Sequence, residues 1–300
     1  GVRDHLRGNA RHPPSHHRFG HHRRERLQVR SGPIFAMPVA TEEHHRRIEE
    51  NSLRSYRSRF HEEYGELILC YDSKKYWRRD FFPNYKCNRK KDRENSGLDW
   101  NLIFDTLNNI RDEVREHFPY KVLEVEGAEA DDCIAAIVNH IAKTPSEFEP
   151  VLVLSGDKDF IQLQKHNFVK QYAPVQKKFI NGIDPNIYIK EHVLKGDRSD
   201  GVPNFLSPDN TFIDELRQKP LAKKKLEAWV DLDPADFCSE EMMRNYQRNK
   251  TLIDLDYIPQ ELQDRVLEEY RKPAKGNRAG LLNYFITKRL RNLMNDIGDF

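Results

Sequence analysis

The sequence predicts an α/β fold, in which a mostly parallel central sheet carries helices on both faces and a smaller, mainly helical C-terminal domain follows. Short apolar runs typical of strands lie at residues 66–72, 120–126 and 151–154, and amphipathic helical segments separate them. Alternation of this kind builds a parallel sheet with right-handed crossovers. Residues 205–300 carry mainly helical patterns instead, which indicates a second region of different architecture.

The composition is that of a globular protein with a highly charged surface. The chain has 300 residues, of which 37% are apolar and 33% charged, enough for one large domain or two ordinary ones. The net charge of +2 conceals a segregation of acidic and basic segments. No apolar run approaches the roughly 20 residues of a membrane span, and no secretory signal is evident. The four cysteines form no C-x-x-C pair, which favours reduced thiols in a cytoplasm.

Residues 1–45 differ from the rest of the chain. They hold eight His and eight Arg but no Lys, and the first lysine is Lys74. A basic arm on nucleic acid and a transit peptide are two functional interpretations. Disorder is the interpretation we favour. The abrupt change in Arg and Lys usage also fits a segment that is foreign to the protein, so order is expected to begin near Thr41.

The elements before the centre of the chain follow from their periodicity. Residues 42–63 are helix-like with a thin apolar face, and residues 66–72 form a buried strand that ends in Asp72. An amphipathic helix is predicted over residues 98–118, because its apolar residues recur at helical spacing. The strand at residues 120–126 then leads into the most acidic part of the chain.

The elements after the centre are equally well marked. Residues 167–174 and 176–180 suggest a hairpin-like pair, and residues 184–196 suggest a helix that Gly196 ends. The segment from Tyr257 to Pro259 separates two helices. We divide the chain into an N-terminal segment (1–45), a core (46–182) and a helical C-terminal domain (183–300).

Carboxylates collect at the predicted strand ends. In residues 127–159, five of them flank two element boundaries: Glu129, Asp131, Asp132, Asp157 and Asp159. With Asp72, they come from three strands, and the carboxyl ends of parallel strands share one crevice. Gathered carboxylates repel one another unless cations neutralise them, which predicts a site for hard divalent ions. Helix capping is the alternative for Glu129 and Asp132, but it explains Asp157 poorly.

A basic and aromatic segment follows the first predicted strand. Its candidate nucleic-acid-binding residues are Lys74, Lys75, Tyr76, Trp77, Arg78, Arg79, Lys86, Arg89 and Lys90. Such a mixture can neutralise phosphates and stack on bases, although charge runs are more often solvated faces. Its position beside an acidic site favours contact with nucleic acid.

A second candidate contact is the sequence KGDRSDGVPN at residues 195–204. It is either a simple turn or a corner between helices whose amides hold a backbone phosphate. The nucleic-acid candidates here are Lys195, Gly196, Arg198, Ser199 and Gly201, while Asp197 and Asp200 can face the metal crevice. The sequence predicts no catalytic histidine, because eight of the thirteen lie in residues 1–45 and the others are scattered.

Three motifs in this order, AEADD, SGDKDF and KGDRSDGVPN, resemble those of the 5′-nuclease (flap endonuclease) superfamily. More narrowly, LILCYDSKKYWRRDFFPNYKCNRKK and YQRNKTLIDLDYIP (246–259) resemble the ribonucleases H of T-even-type bacteriophages. The resemblance covers residues 46–300 and implies a PIN-like nuclease core, with residues 74–95 as a helical arch that admits the 5′ strand.

The resemblance implies a Mg²⁺-dependent phosphodiesterase that uses two ions, with Mn²⁺ as a substitute, and removes RNA primers and 5′ flaps from duplex DNA during replication. It implies an acidic metal-binding set of Asp72, Glu129, Asp131, Asp132, Asp157 and Asp159, extended by Asp197 and Asp200. Asp72 and Asp157 would be catalytic, with Arg79 and Lys86 near the scissile phosphate.

The resemblance also implies partners and a location. Residues 195–204 would grip the duplex backbone and bind K⁺. A phage single-stranded-DNA-binding protein would be a partner of a monomeric enzyme in the cytoplasm of the infected bacterium, without membrane contact.

One departure from the family is serious. The family opens with an apolar strand that ends in a catalytic Asp, but residues 5–71 of this chain contain no Asp. We therefore expect a weakened metal site, an unpaired place in the middle of the sheet and little or no nuclease activity.

A catalytically inactive, structure-specific DNA-binding protein is the alternative function, because the basic segments would still bind. A stand-alone PIN-like ribonuclease ranks last, since it gives no reason for residues 195–204 or for the long helical C-terminal part.

Overall fold

The structure, a computed structural model, describes residues 42–300, and it describes side chains from Glu50 onward. Nearly all of the Arg- and His-rich N-terminal segment (1–45) lies outside the described residues, so its disorder and its foreign origin stay predictions.

The first half of the described chain alternates strands and helices, much as its periodicity predicts. Its elements are α1 (Glu42–Tyr64), β1 (Ile68–Cys70), α2 (Trp77–Phe81), α3 (Arg89–Asn95), α4 (Trp100–His117), β2 (Lys121–Leu123), α5 (Ala130–Lys143), β3 (Val151–Leu154), β4 (Val169–Ala173) and β5 (Lys178–Ile180). The strands β1 and β2 are shorter than the predicted runs, so Asp72 lies two residues beyond the end of β1.

The strand pairing confirms an α/β core with mostly parallel strands. β1 pairs with β2 in parallel, with Ile68 opposite Lys121. β3 pairs with β4 in parallel, and β4 pairs with β5 in an antiparallel hairpin. Within residues 42–300 the strands form two sheets, because neither β1 nor β3 has a second strand partner there. The unpaired place expected in the middle of the sheet stays a prediction, because residues 1–41 lie outside the described part of the chain.

The burial of β3 is lower than predicted. We expected a strand buried on both faces, but only Val153 is fully buried and its three neighbours are partly exposed. The physical reason is that β3 lies at the edge of its sheet in the described part of the chain.

Helix α5 occupies the centre of the main hydrophobic core. Its apolar residues, including Cys133, Val138 and Ile141, are almost completely buried. They pack with β1, β3 and, from the C-terminal half, with Leu262 and Val266. Burial of each such aliphatic side chain contributes roughly 1.5–3 kcal/mol. This packing fixes the N-terminus of α5, where the predicted acidic residues begin.

The C-terminal half contains one α-helix before residue 200 and a series of helices from Lys223 onward. Its helices are α6 (Pro185–Lys195), α7 (Lys223–Val230), α8 (Pro234–Phe237), α9 (Glu240–Ile253), α10 (Gln260–Arg271), α11 (Arg278–Thr287) and α12 (Arg291–Met294). The largely helical character predicted for residues 205–300 is confirmed from Lys223 onward, and the segment before it consists of turns. Arg248 holds the start of that segment by donating hydrogen bonds to the carbonyls of Pro203, Asn204 and Ser207.

The C-terminal helices pack directly on the core. Leu262 and Val266 of α10 lie in the same cluster as α5, and α11 packs against α4. The boundary at residues 182–183 therefore stays a prediction about domains. Among the described helices, none is long and apolar enough to cross a membrane.

A comparison within α4 tests the packing of α11 on the core. Ile110 is 1% exposed and packs near Leu281 and Phe285, whereas Leu102 is 62% exposed on the same helix. We expect Ile110→Ala to lower the free energy of unfolding by about 2–5 kcal/mol through lost burial and a cavity. Leu102→Ala should change it little. Urea denaturation of both variants checks this, and equal losses would contradict the described packing.

Candidate metal centre

The N-terminus of α5 is built on carboxylates that accept hydrogen bonds from its free amides. The backbone N–H of Glu129 donates to Asp132 Oδ2 (2.9 Å), and the N–H of Ala130 donates to Asp72 Oδ1 (2.7 Å). Glu129 and Asp132 form a reciprocal capping box. Carboxylates suit this position because the first helical amides lack partners within the helix and carry partial positive charge. Capping therefore accounts for part of the acidic motif.

Arg78 and Lys86 of the basic segment neutralise Glu129 and Asp132. The Arg78 guanidinium lies 2.8 Å from Glu129 Oε2 and 2.8 Å from Asp132 Oδ1, and Lys86 Nζ pairs with Glu129. All four side chains are at most 3% exposed. We call this group the buried ion cluster (Arg78, Lys86, Glu129, Asp132). Two cations thus face two carboxylates, so the group is electrically balanced.

The environment of Arg78 keeps it charged. Burial alone lowers the pKa of a guanidinium, but Asp132 and Glu129 outweigh burial and raise the pKa of Arg78 above its ordinary value. Its Nε–H also donates to the carbonyl oxygen of Leu252 (2.8 Å), at the end of α9. Every partner therefore favours the charged form of the arginine.

Three other predicted ligands meet beside this cluster. Asp131, Asp157 and Asp159 each offer a carboxylate oxygen, and the three oxygens lie within 4.8 Å of one another. We call this group the triple-aspartate group. Asp131 is the second residue of α5, while Asp157 precedes a 3₁₀ helix and accepts the N–H of Asp159 (3.0 Å). Oxygen donors so close together suit hard divalent cations such as Mg²⁺.

A histidine that the sequence did not predict completes a neighbouring group. Asp159, His192 and Asp197 also bring one ligand atom each within 4.8 Å. Burial lowers the pKa of an imidazolium, but the carboxylates of Asp159 and Asp197 outweigh it and raise the pKa of His192 to about 10. The sequence held one signal: His192 lies one helical turn before Gly196, in the motif that ends α6.

Asp200 points toward the basic segment. Its carboxylate is buried and accepts hydrogen bonds from the Tyr85 hydroxyl (3.0 Å) and from Arg89 (2.8 Å). Its backbone carbonyl accepts the N–H of Lys86 (2.7 Å). At Gly201, where φ is 71°, a Cβ would lie 2.8 Å from the carbonyl oxygen of Asn84. The loop at residues 197–202 therefore packs closely against the basic segment.

The predicted nucleic-acid residues divide by exposure. Those exposed to solvent are Lys74, Lys75, Arg79, Lys90, Lys195, Arg198 and Ser199. Those partly exposed are Tyr76, Trp77 and Arg89, and those buried are Arg78, Lys86, Gly196 and Gly201. The segment predicted as an arch consists of the short helices α2 and α3 with a loop between them.

Adjacent arginines of α2 have opposite environments. The sequence assigns Arg79 to the phosphate, yet Arg78 is the arginine among the acidic residues. Arg79 is exposed, and its guanidinium lies 5.4 Å from the ring centre of Tyr76. In this structure Glu129 and Asp132 are therefore neutralised by protein cations, whereas the triple-aspartate group remains a candidate ion site.

Comparison with known proteins supports the class that this fold and site indicate. The family described as the 5′–3′ exonuclease N-terminal resolvase-like domain matches residues 49–193, and the C-terminal domain of T4 RNase H matches residues 183–300. The chain belongs to the 5′-nuclease family that includes phage T4 ribonuclease H, and this membership supports a nuclease function.

Within that family, the chain is similar to a particular phage protein. It is 34% identical over 246 residues to the ribonuclease H of Enterobacteria phage T4, across 79% of this chain and 80% of that protein. A 5′–3′ exonuclease of Buchnera aphidicola is 30% identical over 148 residues, which cover 46% of this chain and 47% of the relative.

A solved structure extends the likeness to the fold. The D15 flap endonuclease of bacteriophage T5, in complex with DNA and metal ions, aligns with a TM-score of 0.50. The alignment covers 77% of this chain and 91% of that one, at 17% identity. The predicted resemblance and the predicted fold class are thereby confirmed.

The two arginines of α2 provide a matched test of the buried ion cluster. Arg78→Leu leaves two buried carboxylates facing only Lys86, so we expect a loss of about 3–5 kcal/mol in the free energy of unfolding at neutral pH. Arg79→Leu, one residue along and exposed, should be nearly neutral. Urea denaturation measures both.

The pH dependence of the same variant has a defined sign. Burial already raises the pKa of Asp132 above its usual range, and removal of Arg78 raises it further. The folded variant then binds more protons than the unfolded chain. The difference between wild type and Arg78→Leu in the free energy of unfolding should therefore shrink as the pH falls from 7 toward 5. A deficit that grows on acidification would contradict this assignment.

Proposed function

We propose that this chain is a phage replication 5′→3′ exonuclease and flap endonuclease that hydrolyses the phosphodiesters of RNA primers and 5′ flaps with the help of two divalent ions. The observation that supports this proposal is the triple-aspartate group, placed where α5 begins and where β3 ends. Family membership supplies the reaction class, and the group supplies a place for its chemistry.

The donor chemistry fits the ions that the family uses. Asp131, Asp157 and Asp159 offer oxygen ligands, which Mg²⁺ prefers and which Mn²⁺ accepts as well. The T5 relative is described with DNA and metal ions, which supports a metal-dependent function without naming the ion. When bound, such ions lower the pKa of a coordinated water and stabilise charge on the attacking and leaving oxygens.

The side chains of this chain place a carboxylate at the acidic site and supply positive charge for a phosphate. Asp72 is held at the start of α5 by the N–H of Ala130, the residue that precedes Asp131 of the triple-aspartate group. Lys86 and Arg78 are already directed at the acidic residues, so a phosphate that displaces them from Glu129 and Asp132 would meet two cations in place. The exposed Arg79 lies on the outer side of the same helix.

The remaining basic residues suit the nucleic-acid backbone. Lys74, Lys75 and Lys90 are exposed on the basic segment. Lys195 is exposed at the end of α6, and Arg198 is exposed on the loop that follows. Lysine and arginine side chains in such positions bind phosphates in a salt-dependent manner. K⁺ at residues 195–204, a single-stranded-DNA-binding partner, the monomeric state and the cytoplasm of an infected host stay predictions.

A structure-specific DNA-binding protein without catalysis is the second candidate. Two observations favour it: Arg78 and Lys86 hold two of the predicted metal ligands, and residues 5–71 contain no Asp. Such a protein would bind flaps tightly at low salt and cleave them in no divalent metal.

Cleavage assays separate the two candidates. An intact form with the family's first-strand Asp should cleave a 5′-flap and a nicked RNA–DNA duplex in the presence of Mg²⁺. This chain, which has no Asp in residues 5–71, should cleave them slowly at most. Asp157→Asn should lower that rate by at least about 100-fold, because electrostatic stabilisation in such sites has this magnitude. Asp105→Asn, on the exposed surface of α4, is the matched control. Equal cleavage by wild type and Asp157→Asn would contradict the nuclease assignment.

Ion binding can be measured without a substrate. An ion that binds only the folded protein stabilises it by about 2.7 kcal/mol at a hundredfold excess over its Kd. We therefore expect Mg²⁺ to raise the melting temperature of the wild type by several degrees. The increase should disappear in Asp157→Asn and persist in Asp105→Asn. Equal shifts in all three proteins would place the ion outside the triple-aspartate group.

A further inference from the structure

The group formed by Asp159, His192 and Asp197 differs in chemistry from the triple-aspartate group. It shares Asp159 with that group, but it adds an imidazole nitrogen to the carboxylate oxygens. Imidazole suits transition ions such as Co²⁺ and Zn²⁺, whereas carboxylates suit Mg²⁺ and Mn²⁺. The two groups are therefore expected to differ in the ion that they prefer.

The distances within this group resemble those between ligands of one ion. Nε2 of His192 lies 3.2 Å from Asp159 Oδ1 and 3.6 Å from Asp197 Oδ2. Nε2 forms no hydrogen bond of ordinary geometry with either oxygen. Nitrogen and oxygen ligands at about 2.0–2.2 Å from a tetrahedral ion lie roughly 3.3 Å apart. The third separation, between the carboxylate oxygens of Asp159 and Asp197, is within 4.8 Å.

The side chains of this group are held in place before any ion arrives. His192 is 18% exposed on α6, and its ring stacks on Tyr188, one turn earlier, at 5.6 Å between ring centres. Asp197 accepts hydrogen bonds from the N–H (2.8 Å) and the hydroxyl (2.5 Å) of Ser199. Ligands whose orientation is fixed by neighbours bind ions with a smaller entropic loss.

We propose that Nε2 of His192, on releasing its proton to solvent, is a nitrogen ligand of an ion that Asp159 and Asp197 also hold, so that this position prefers Co²⁺ and Zn²⁺ to Mg²⁺. The proposal deepens the metal-dependent function above and rests on it for the role of the ion. The oxygen-only group (Asp131, Asp157, Asp159) remains the place for Mg²⁺. The two metal positions would then prefer different ions.

A simpler role for His192 makes the opposite prediction. If the imidazolium only neutralises Asp159 and Asp197, it competes with every cation for the same oxygens. Its removal would then strengthen the binding of Mg²⁺ and Co²⁺ alike. If the imidazole is a ligand, its removal weakens Co²⁺ binding and leaves Mg²⁺ binding unchanged or slightly stronger.

The test measures ion binding to the full chain in the absence of DNA. Calorimetric titrations with Co²⁺ are made in excess Mg²⁺, which fills oxygen-only positions, and separate titrations use Mg²⁺ alone. The proteins are the wild type, His192→Gln and His140→Gln. His140 is the matched control, because it faces one carboxylate, Glu147, at 2.7 Å on the surface. The histidines of residues 1–45 are present in all three proteins, so they cancel in the comparison.

We expect His192→Gln to lose at least about tenfold in Co²⁺ affinity, as changes around metal ligands generally do. The visible absorption of bound Co²⁺ should weaken in parallel, and His140→Gln should behave as the wild type. Circular dichroism checks the fold, and His192→Asn replaces the glutamine variant if that variant does not fold.

Two results would overturn the proposal: equal gains in affinity for both ions, or no change for either. The cleavage assay is independent of this test, because it uses Mg²⁺ and DNA. If the chain cleaves DNA but its Co²⁺ binding does not depend on His192, this inference alone is refuted. Selective Co²⁺ binding without cleavage would refute the proposed function alone.

Discussion

The buried pairing of Arg78 with Glu129 and Asp132 is the interaction on which the rest of this structure depends. It joins three parts of the chain at one point: α2 of the basic segment, the N-terminus of α5, and the end of α9 through the carbonyl of Leu252. A charge left alone in such a place is very unfavourable, so the pairing stabilises the positions of these three parts relative to one another. The core, the basic segment and the C-terminal helices are therefore coupled through this contact.

This pairing also sorts the acidic residues into two kinds. Glu129 and Asp132 are neutralised by the protein itself, whereas Asp131, Asp157 and Asp159 group together, with His192 3.2 Å from Asp159. The sequence presents these carboxylates as a single set. The fold separates them because neighbouring residues at the start of a helix point in different directions. The same stretch of chain thus serves both the stability of the fold and the candidate ion site.

Much of the fold follows from the sequence because its signals are local. The limits of α6 and β3 follow from an N-cap aspartate, a C-terminal glycine and a continuous apolar run. Two features of the site depend on distant contacts instead. Whether Arg78 or Arg79 meets the acidic residues depends on how α2 is rotated against α5. Its partners Glu129 and Asp132 lie 51 and 54 positions further along the chain. The role of His192 depends on Asp159, which lies on another element.

The contact between Arg78 and Leu252 has a consequence for how the protein is made. The two residues are 174 positions apart, so the acceptor for the Arg78 Nε–H leaves the ribosome long after α2 and α5 have been synthesised. Through that interval, the nascent chain lacks one of the partners that make burial of this guanidinium favourable. Contacts of such long sequence separation form late and slow folding. The acidic residues of α5 therefore reach their final surroundings only after α9 has been synthesised.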